Sequence, residues 1–588
     1  MQALCVSLTL LIALPTSFVV PGVGTDPGWM LGLVMARQRH LRFGHDVVFT
    51  YGPWGFLDHI SLIDLSSALL ATAFAVLALI VFWRTVWSAV SPAYGAAVGS
   101  GVAVLVSTLA FPVGGPSWLL LMTIVLGVLA SVRTGTTSLL RVAAASGGAT
   151  LLLQIKFSEG LLALVLAGAL SVSLRHPVRI ACFVVAVPSS FVLWWVLAGQ
   201  EMGDVLRWLS LSAQIVSGYS GAMYYAEPRA AFGVLVAVLL VLLLGSLVLH
   251  ELRTGPDRWG YTLLAAGVVL FGLKEGFVRH DLNHQSVFFT LLAVVGVSHL
   301  RRSAGGVGRL LLVALACAAA VASLAIARSD APTATTWGQF AAVVGGGDPG
   351  RDLLDTVKVG VRQREAVPVD VLAAVGRRPV HIEPVEMSAA WAYGLNWHPV
   401  PVLQSFSAYT PTLDRLEAQA LTSAPHMAVL RQAAAVDDRL QAWDPPRYNR
   451  ALVCSFRPAA SGAGWTALLR GPNRCGAARE VRSLSVAAGE AIPVPQVAAH
   501  QMLTMSFRPA PSLRRQVLSL VARDPQPLRA SFAGHEVRLP RKLAGGPLLA
   551  RVPSDVGWIG LPAGDQRDVT VSFSESGQLT FRVNDLAA

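Results

Sequence analysis

Residues 149–175 read ATLLLQIKFSEGLLALVLAGALSVSLR. Two apolar runs, 142–156 and 160–174, meet there with barely any loop, and neither shows the polar stripe that a surface helix of a soluble protein presents to water. Their length and uniform apolarity predict helices seated in a bilayer. The junction carries Lys156 and Glu159, and ionisable groups so close to hydrocarbon either pair with each other or face a polar cavity.

Outward from this stretch the same texture recurs. Apolar runs occur at 1–20, 63–83, 93–112, 117–132, 180–199, 229–249, 259–273, 285–300 and 309–327, so the expected fold is a polytopic α-helical membrane protein with about eleven transmembrane helices. The first run has no basic start and no A-x-A cleavage site, which predicts a retained helix rather than a signal peptide. Of the 588 residues, 54% are hydrophobic and 14% charged, with a mean hydropathy of +0.56; a soluble domain carries about 25% charged residues. A wholly soluble protein is thereby excluded.

The net charge of +12 does not point to nucleic acid, because the excess is spread along the chain without a basic stripe interleaved with aromatics. Up to Arg328 there are 19 basic and 12 acidic residues, and 27 and 22 beyond it. With the N-terminus inside, the cytoplasmic loops hold ten basic against two acidic residues and the outward loops eight against ten. That asymmetry is the positive-inside rule. It predicts a multi-pass protein of the inner or plasma membrane, with a cytoplasmic N-terminus and everything after Arg328 extracytoplasmic.

Three regions follow: a transmembrane region 1–328, a mixed α/β region 329–483 and a β-sandwich-like region 484–588. In the second, 352–361 and 411–421 read as helices, the latter with proline in its first turn, and 379–382 and 427–430 as short buried strands. In the third, alternating runs such as 569–573 and 579–583 recur between turn residues, as in a sandwich. Cys454 and Cys475 lie in the expected oxidising compartment and predict a disulfide.

Ionisable and aromatic residues gather in four outward loops. The first holds Asp26 in GTDPGW (24–29) and Asp46 and Tyr51 in GHDVVFTYGPWGFL (44–57); the aromatics suit either a shaped surface or an interfacial belt, and each carboxylate suits either chemistry or a turn. The second is Lys156 and Glu159. The third, 200–229, holds Tyr219 in a segment suited to lying in the interface. The fourth, KEGFVRHDLNH (274–284), concentrates Lys274, Arg279, His280, Asp281 and His284. Its cations suit a phosphate, and its two histidines and aspartate are candidate metal ligands; a network anchoring the outer region is the alternative. In the outer region, QSFSAYTP (404–411) contains Gln404 and Tyr409, suited to stacking and hydrogen-bonding a sugar or to packing.

Four such loops on one membrane face form the layout expected of a site for a lipid-linked anionic substrate. The spans, the first-loop aspartate, the long first outward loop and the outer C-terminal region together resemble the GT-C superfamily of polyprenyl-phosphate-dependent glycosyltransferases. FTYGPWGFL (49–57), SGYSGAM (217–223), KEGFVRHD (274–281) and WHPVPVLQSFSAYTPTLD (397–414) also resemble a group of bacterial GT-C-like membrane proteins, a similarity that covers most of 20–420. The resemblance implies inverting transfer of a sugar from an undecaprenyl- or decaprenyl-phosphate donor to an envelope glycan or glycolipid acceptor. It puts Asp26 at the family's first-loop catalytic aspartate, with Asp46 as a second candidate. In that reading Lys274 and Arg279 clamp the donor phosphate, and Tyr51, Lys156, Glu159, Tyr219, His280, Asp281, His284, Gln404 and Tyr409 are further substrate-binding candidates. The adjacent acidic pair common in the family is missing, which leaves a divalent metal cofactor open. Two other classes stand beside this one: a transporter or flippase of lipid-linked glycans, and a non-catalytic scaffold for envelope assembly.

Overall fold

The computed structural model describes the chain apart from residues 174–175, 224, 227–236, 239–240, 242–244, 246–257, 281, 301–336, 386, 514–526, 567 and 588. The chain forms two compact units. One comprises Met1–Val20, Thr50–Met202 and Tyr225–Asp355; the other comprises Pro21–Phe49, Gly203–Tyr224 and Thr356–Ala588.

The first unit is helical. Among the described residues, three helices are long and apolar enough to cross a membrane: Leu65–Thr134, Pro177–Leu197 and Gly260–Phe277. Shorter apolar helices cover Gln2–Ser17, Leu139–Ile155, Phe157–Val172 and His284–Ser298. Leu65–Thr134 holds Pro92, Pro112 and Pro116 and leaves helical geometry at Gly95 (φ +84°) and Gly115 (φ +72°). Glycine takes such a φ readily, and a Cβ at Gly99 would meet Ser91 at 2.9 Å, so the chain turns back at Gly95 and the runs expected at 63–83, 93–112 and 117–132 are separate helical segments. Asp64 caps the first by accepting the Ser67 N–H at 2.8 Å, and Gly135, left-handed, ends the last. The span expected at 309–327, and most of that at 229–249, lie outside the described residues. The helices Arg258–Phe277 and Leu282–Leu300 approach through Gly272 and Gly276, whose missing side chains leave room for Leu291 and Phe288.

The second unit combines two layers of secondary structure. Val380–Glu383 pairs in parallel with Ala428–Gln432, and Trp465–Arg470 and Phe456–Gly462 extend the sheet antiparallel. The helices Pro411–Ser423 and Pro446–Ser455 accompany this sheet. Beyond it lie two four-stranded sheets. One orders Ile492–Pro493, Thr570–Phe573, Arg529–Phe532 and His535–Arg538; the other orders Leu548–Arg551, Gln501–Pro509, Gly577–Asp585 and Arg479–Val486. Phe507 and Phe573 stack with centroids 3.9 Å apart and join the two sheets in a shared apolar core. The first strand of this sandwich spans Arg479–Val486. Trp443 and Val453 belong to the same core, which ties the mixed sheet region to the sandwich.

Residues 21–49 also belong to this second unit, because their backbone is used by it. Val48 N–H donates to the Pro401 carbonyl at 2.5 Å and Leu403 N–H to the Val48 carbonyl at 3.2 Å. Arg39 donates to the Trp397 carbonyl at 2.6 Å. Gly28 sits so close to the Val385 carbonyl that a Cβ there would approach it to 2.5 Å.

Candidate functional site

The helices Leu139–Ile155 and Phe157–Ser173 are separated by a single residue, Lys156, whose backbone is extended (φ −137°, ψ 111°). A break of this kind inside an apolar layer strands backbone groups that must find partners. Residues 50–54 supply them. Gly52 N–H donates to the Ile155 carbonyl and Trp54 N–H to the Gln154 carbonyl, each at 3.0 Å, and Phe157 N–H donates to the Thr50 carbonyl at 3.3 Å. The YGPW segment therefore acts as a short backbone splint, and the Trp54 indole anchors it by donating to the Trp194 carbonyl at 2.8 Å.

The splint places Tyr51 under the Lys156 ammonium, 5.9 Å from the ring centroid. The ammonium lies 2.8 Å from Glu159 and 3.5 Å from Glu275. Glu159, 1% exposed, also accepts the Ser117 hydroxyl at 3.0 Å, and the Ser117 N–H donates to buried Asp58 at 3.0 Å. Gly115 permits this: a Cβ there would come within 2.9 Å of the Asp58 carboxylate. The result is a polar chain among apolar helices, buried at Asp58, Ser117 and Glu159 and partly exposed at Lys156 and Glu275. Asp58 and Ser117 were invisible as site residues in the sequence, since one reads as the end of an aromatic loop and the other as a small residue in an apolar run.

Lys274 occupies the last turn of its helix, where a cation also complements the helix dipole. It is exposed and makes no ion pair or hydrogen bond among the described residues. Arg279 and His280 form a two-residue strand, their backbone pairing in parallel with Tyr225 and Ala226. His284 lies in the first turn of the following helix, and Asp281 lies outside the described residues. Among the described residues no group of three or more His, Cys, Asp or Glu is arranged to hold a metal ion.

The remaining candidates belong to the second unit. Asp26 is exposed in the first turn of the helix Thr25–Gln38 and accepts the Trp29 indole N–H at 3.0 Å. Asp46 closes a tight turn: it accepts the Arg42 N–H at 2.8 Å and lies 2.7 Å from His45 Nδ1. Arg42 in turn grips Asp204 through two bonds of 2.7 and 2.9 Å, and this holds the Asp204 carboxyl below its usual range. Gln404 and Tyr409 are both 2% exposed. Gln404 donates to the Thr25 carbonyl at 2.9 Å, while Tyr409 meets Tyr219 edge-on at 6.0 Å and the Ser407 hydroxyl at 3.0 Å. Cys454 and Cys475 form a disulfide.

Under the sheet of this unit lies a buried acidic group. Glu383 pairs with Arg431, and Asp444 with Arg439 at 3.0 Å. Asp414 accepts the N–H groups of Arg447 and Tyr448 at 2.9 and 3.1 Å, yet burial pushes its carboxyl up to about 7. Glu417 has neither oxygen hydrogen-bonded among the described residues, and burial first, then Asp414, Glu383 and Asp444, drives its carboxyl far above the usual value. His381, buried beside them, is held down to about 3.

No family model and no curated protein matches the chain. Two solved structures of ArnT from Cupriavidus metallidurans, one bound to undecaprenyl phosphate and one in the apo state, align with it over 80% of this chain and 99% of theirs at 12% identity, with TM-scores of 0.30 and 0.31. This likeness is distant and assigns neither activity nor site residues to the chain.

Proposed function

We propose that the protein is a membrane glycosyltransferase that moves a sugar, with inversion, from a polyprenyl-phosphate donor to an extracytoplasmic envelope acceptor. The observation that carries this reading is the polar chain at the helix break beside Lys274. A buried ion pair costs desolvation and is seldom kept in an apolar layer for stability alone. Here Lys156 lies 2.8 Å from Glu159 and 3.5 Å from Glu275, so this reading gives the phosphate to other cations. Lys274, adjacent in sequence to Glu275, has no such partner among the described residues, and in this reading it holds the donor phosphate together with Arg279. Arg279 contributes a planar fork and Lys274 a point charge; together they stabilise the negative charge that develops on the departing phosphate.

The acceptor-activating carboxylate in this reading is Asp26, by its position in the first loop. Asp46 is engaged by its turn through the Arg42 N–H and His45, whereas Asp26 is exposed and, among the described residues, meets one indole. The test is release and transfer of radiolabelled sugar from polyprenyl-phosphate-sugar by the full chain in nanodiscs. Asp26→Asn is expected to lower transfer at least a hundredfold, the scale of general-base catalysis, while leaving donor binding intact. Undiminished transfer in that variant removes Asp26 from the chemistry.

A further inference from the structure

The helices Pro411–Ser423 and Pro446–Ser455 each have two faces. The inner faces carry Leu413, Asp414, Glu417 and Leu421, and Tyr448, Asn449 and Leu452, all buried. The faces turned toward each other repeat one spacing, with Ala451 and Cys454 themselves buried. Arg415, Ala418, Gln419 and Thr422 follow i, i+3, i+4, i+7 along the first helix, and Arg447, Arg450, Ala451 and Cys454 do so along the second. Residues so spaced share a helix face. Ala418 and Ala451 are too small to fill the space between the helices, and a cleft of about 290 Å³ opens there. Asn473 and the Cys454–Cys475 disulfide contribute to its wall.

The cleft is lined by three arginines and no carboxylate. Arg447 has only a loose contact with Asp414, 3.7 Å away beneath the surface. Arg415 reaches Thr412 at 3.4 Å, and among the described residues neither Arg415 nor Arg450 has an acidic partner. Arg450 is half-buried, and burial together with the neighbouring Arg447 pushes its guanidinium below the usual value. Arginine nevertheless stays charged in proteins, so this arrangement carries an electrostatic cost that an anion relieves. The groove continues past Arg415 and Gln419 into a second cleft of about 260 Å³ against the helix Val205–Ala222, which adds Arg207 and Ser210, again without a carboxylate.

We propose that the cleft between Pro411–Ser423 and Pro446–Ser455 binds a phosphate-bearing ligand of headgroup size, clamped by Arg415, Arg447 and Arg450. Guanidinium forks match phosphate bidentately, and the amide and hydroxyl groups of Gln419, Asn473 and Thr422 provide the polar surroundings for an attached polyol. The volume is at the small end of ligand sites, which suits one phosphate with a single sugar or glycerol. Two sources share this chemistry: a soluble sugar phosphate and the headgroup of an anionic phospholipid. The site lies within one unit and does not rest on the transferase reading.

The test uses the full chain in neutral phosphatidylcholine nanodiscs, titrated by calorimetry with glucose 1-phosphate and with short-chain phosphatidylglycerol. Saturable binding of either is expected; the first alone selects the soluble source and the second alone the lipid. The variant Arg415→Gln/Arg450→Gln is expected to weaken binding at least tenfold while keeping or raising the unfolding temperature, because it relieves like-charge repulsion. Arg450→Lys keeps the charge without the fork and is expected to fall between. Arg479→Gln, at an exposed site elsewhere, is expected to change nothing. Absence of saturable binding for both probes, or equal affinity in wild type and the double variant, overturns the proposal.

Discussion

The Lys156 ammonium stands 2.8 Å from the Glu159 carboxylate, three residues along the chain and across a helix break. Glu159 is the more deeply buried of the two, so the pair is asymmetric: removing the lysine leaves a carboxylate with only the Ser117 hydroxyl for support. Lys156→Ala is expected to destabilise the helical unit by about 3–5 kcal/mol, the cost of orphaning one member of a buried pair. Lys156→Met/Glu159→Gln should recover most of that. Thermal unfolding of both variants in nanodiscs measures the difference, and equal losses would show that the pair is not coupled.

The first-loop helix Thr25–Gln38 is fitted to the second unit through glycine. A Cβ at Gly28 would approach the Val385 carbonyl to 2.5 Å, a backbone atom that cannot swing aside. Gly28→Ala is therefore expected to cost about 1–3 kcal/mol, the range for overpacking, with increased protease sensitivity in residues 21–49. Unchanged proteolysis would separate this helix from the unit.

The buried acids make stability depend on pH. Asp414, raised from 3.8 to about 7, holds its proton in the folded state where the unfolded chain has lost it. Its contribution is full below about 3.8 and disappears as pH rises through about 7. Glu417, also raised by burial, acts in the same direction, and Asp444, raised to about 6, does so at somewhat lower pH than Asp414. His381, lowered to about 3, contributes the opposite slope, but only below its unfolded value of 6.5. Between pH 6.5 and 8 the carboxyls act alone, so the unfolding temperature is expected to fall over that window. Glu417→Gln should flatten the fall; an identical slope in that variant would remove Glu417 as a cause.

Reduction of the Cys454–Cys475 bridge releases a loop spanning 21 positions. Cys475→Ser is expected to lower stability by about 2–4 kcal/mol, read as a shift in the denaturation midpoint that wild type reproduces only in the presence of reductant. A midpoint unaffected by the substitution would show that the bridge does not constrain the unfolded chain.

Local chemistry explains which parts of this architecture were legible in the sequence. The helix expected at 411–421 appears as Pro411–Ser423 because proline at its first turn and the Thr410 cap, which accepts the Leu413 N–H at 3.4 Å, are local signals. The runs at 569–573 and 579–583 appear as Thr570–Phe573 and Gly577–Asp585 because alternation is local too. What stayed hidden was long-range. Nothing local shows that residues 21–49 share a unit with residues after 356, since their ties run through backbone pairing of Val48 with Pro401 and Leu403. Lys156 could be read as pairing with Glu159 alone, and only the fold brings Glu275, 119 positions later, to within 3.5 Å of it. Asp46 reads as a candidate base until the Arg42 N–H and His45 are seen to engage it.

The central claim is that Lys274 and Arg279 hold the phosphate of a polyprenyl donor. Its most direct test is the affinity of nanodisc-embedded protein for undecaprenyl phosphate, compared between wild type and Lys274→Ala/Arg279→Ala. The account expects saturable binding weakened at least tenfold in the double variant, about 1.4 kcal/mol or more, with unfolding temperature preserved. Equal affinity in the two proteins, or no binding in either, would contradict it.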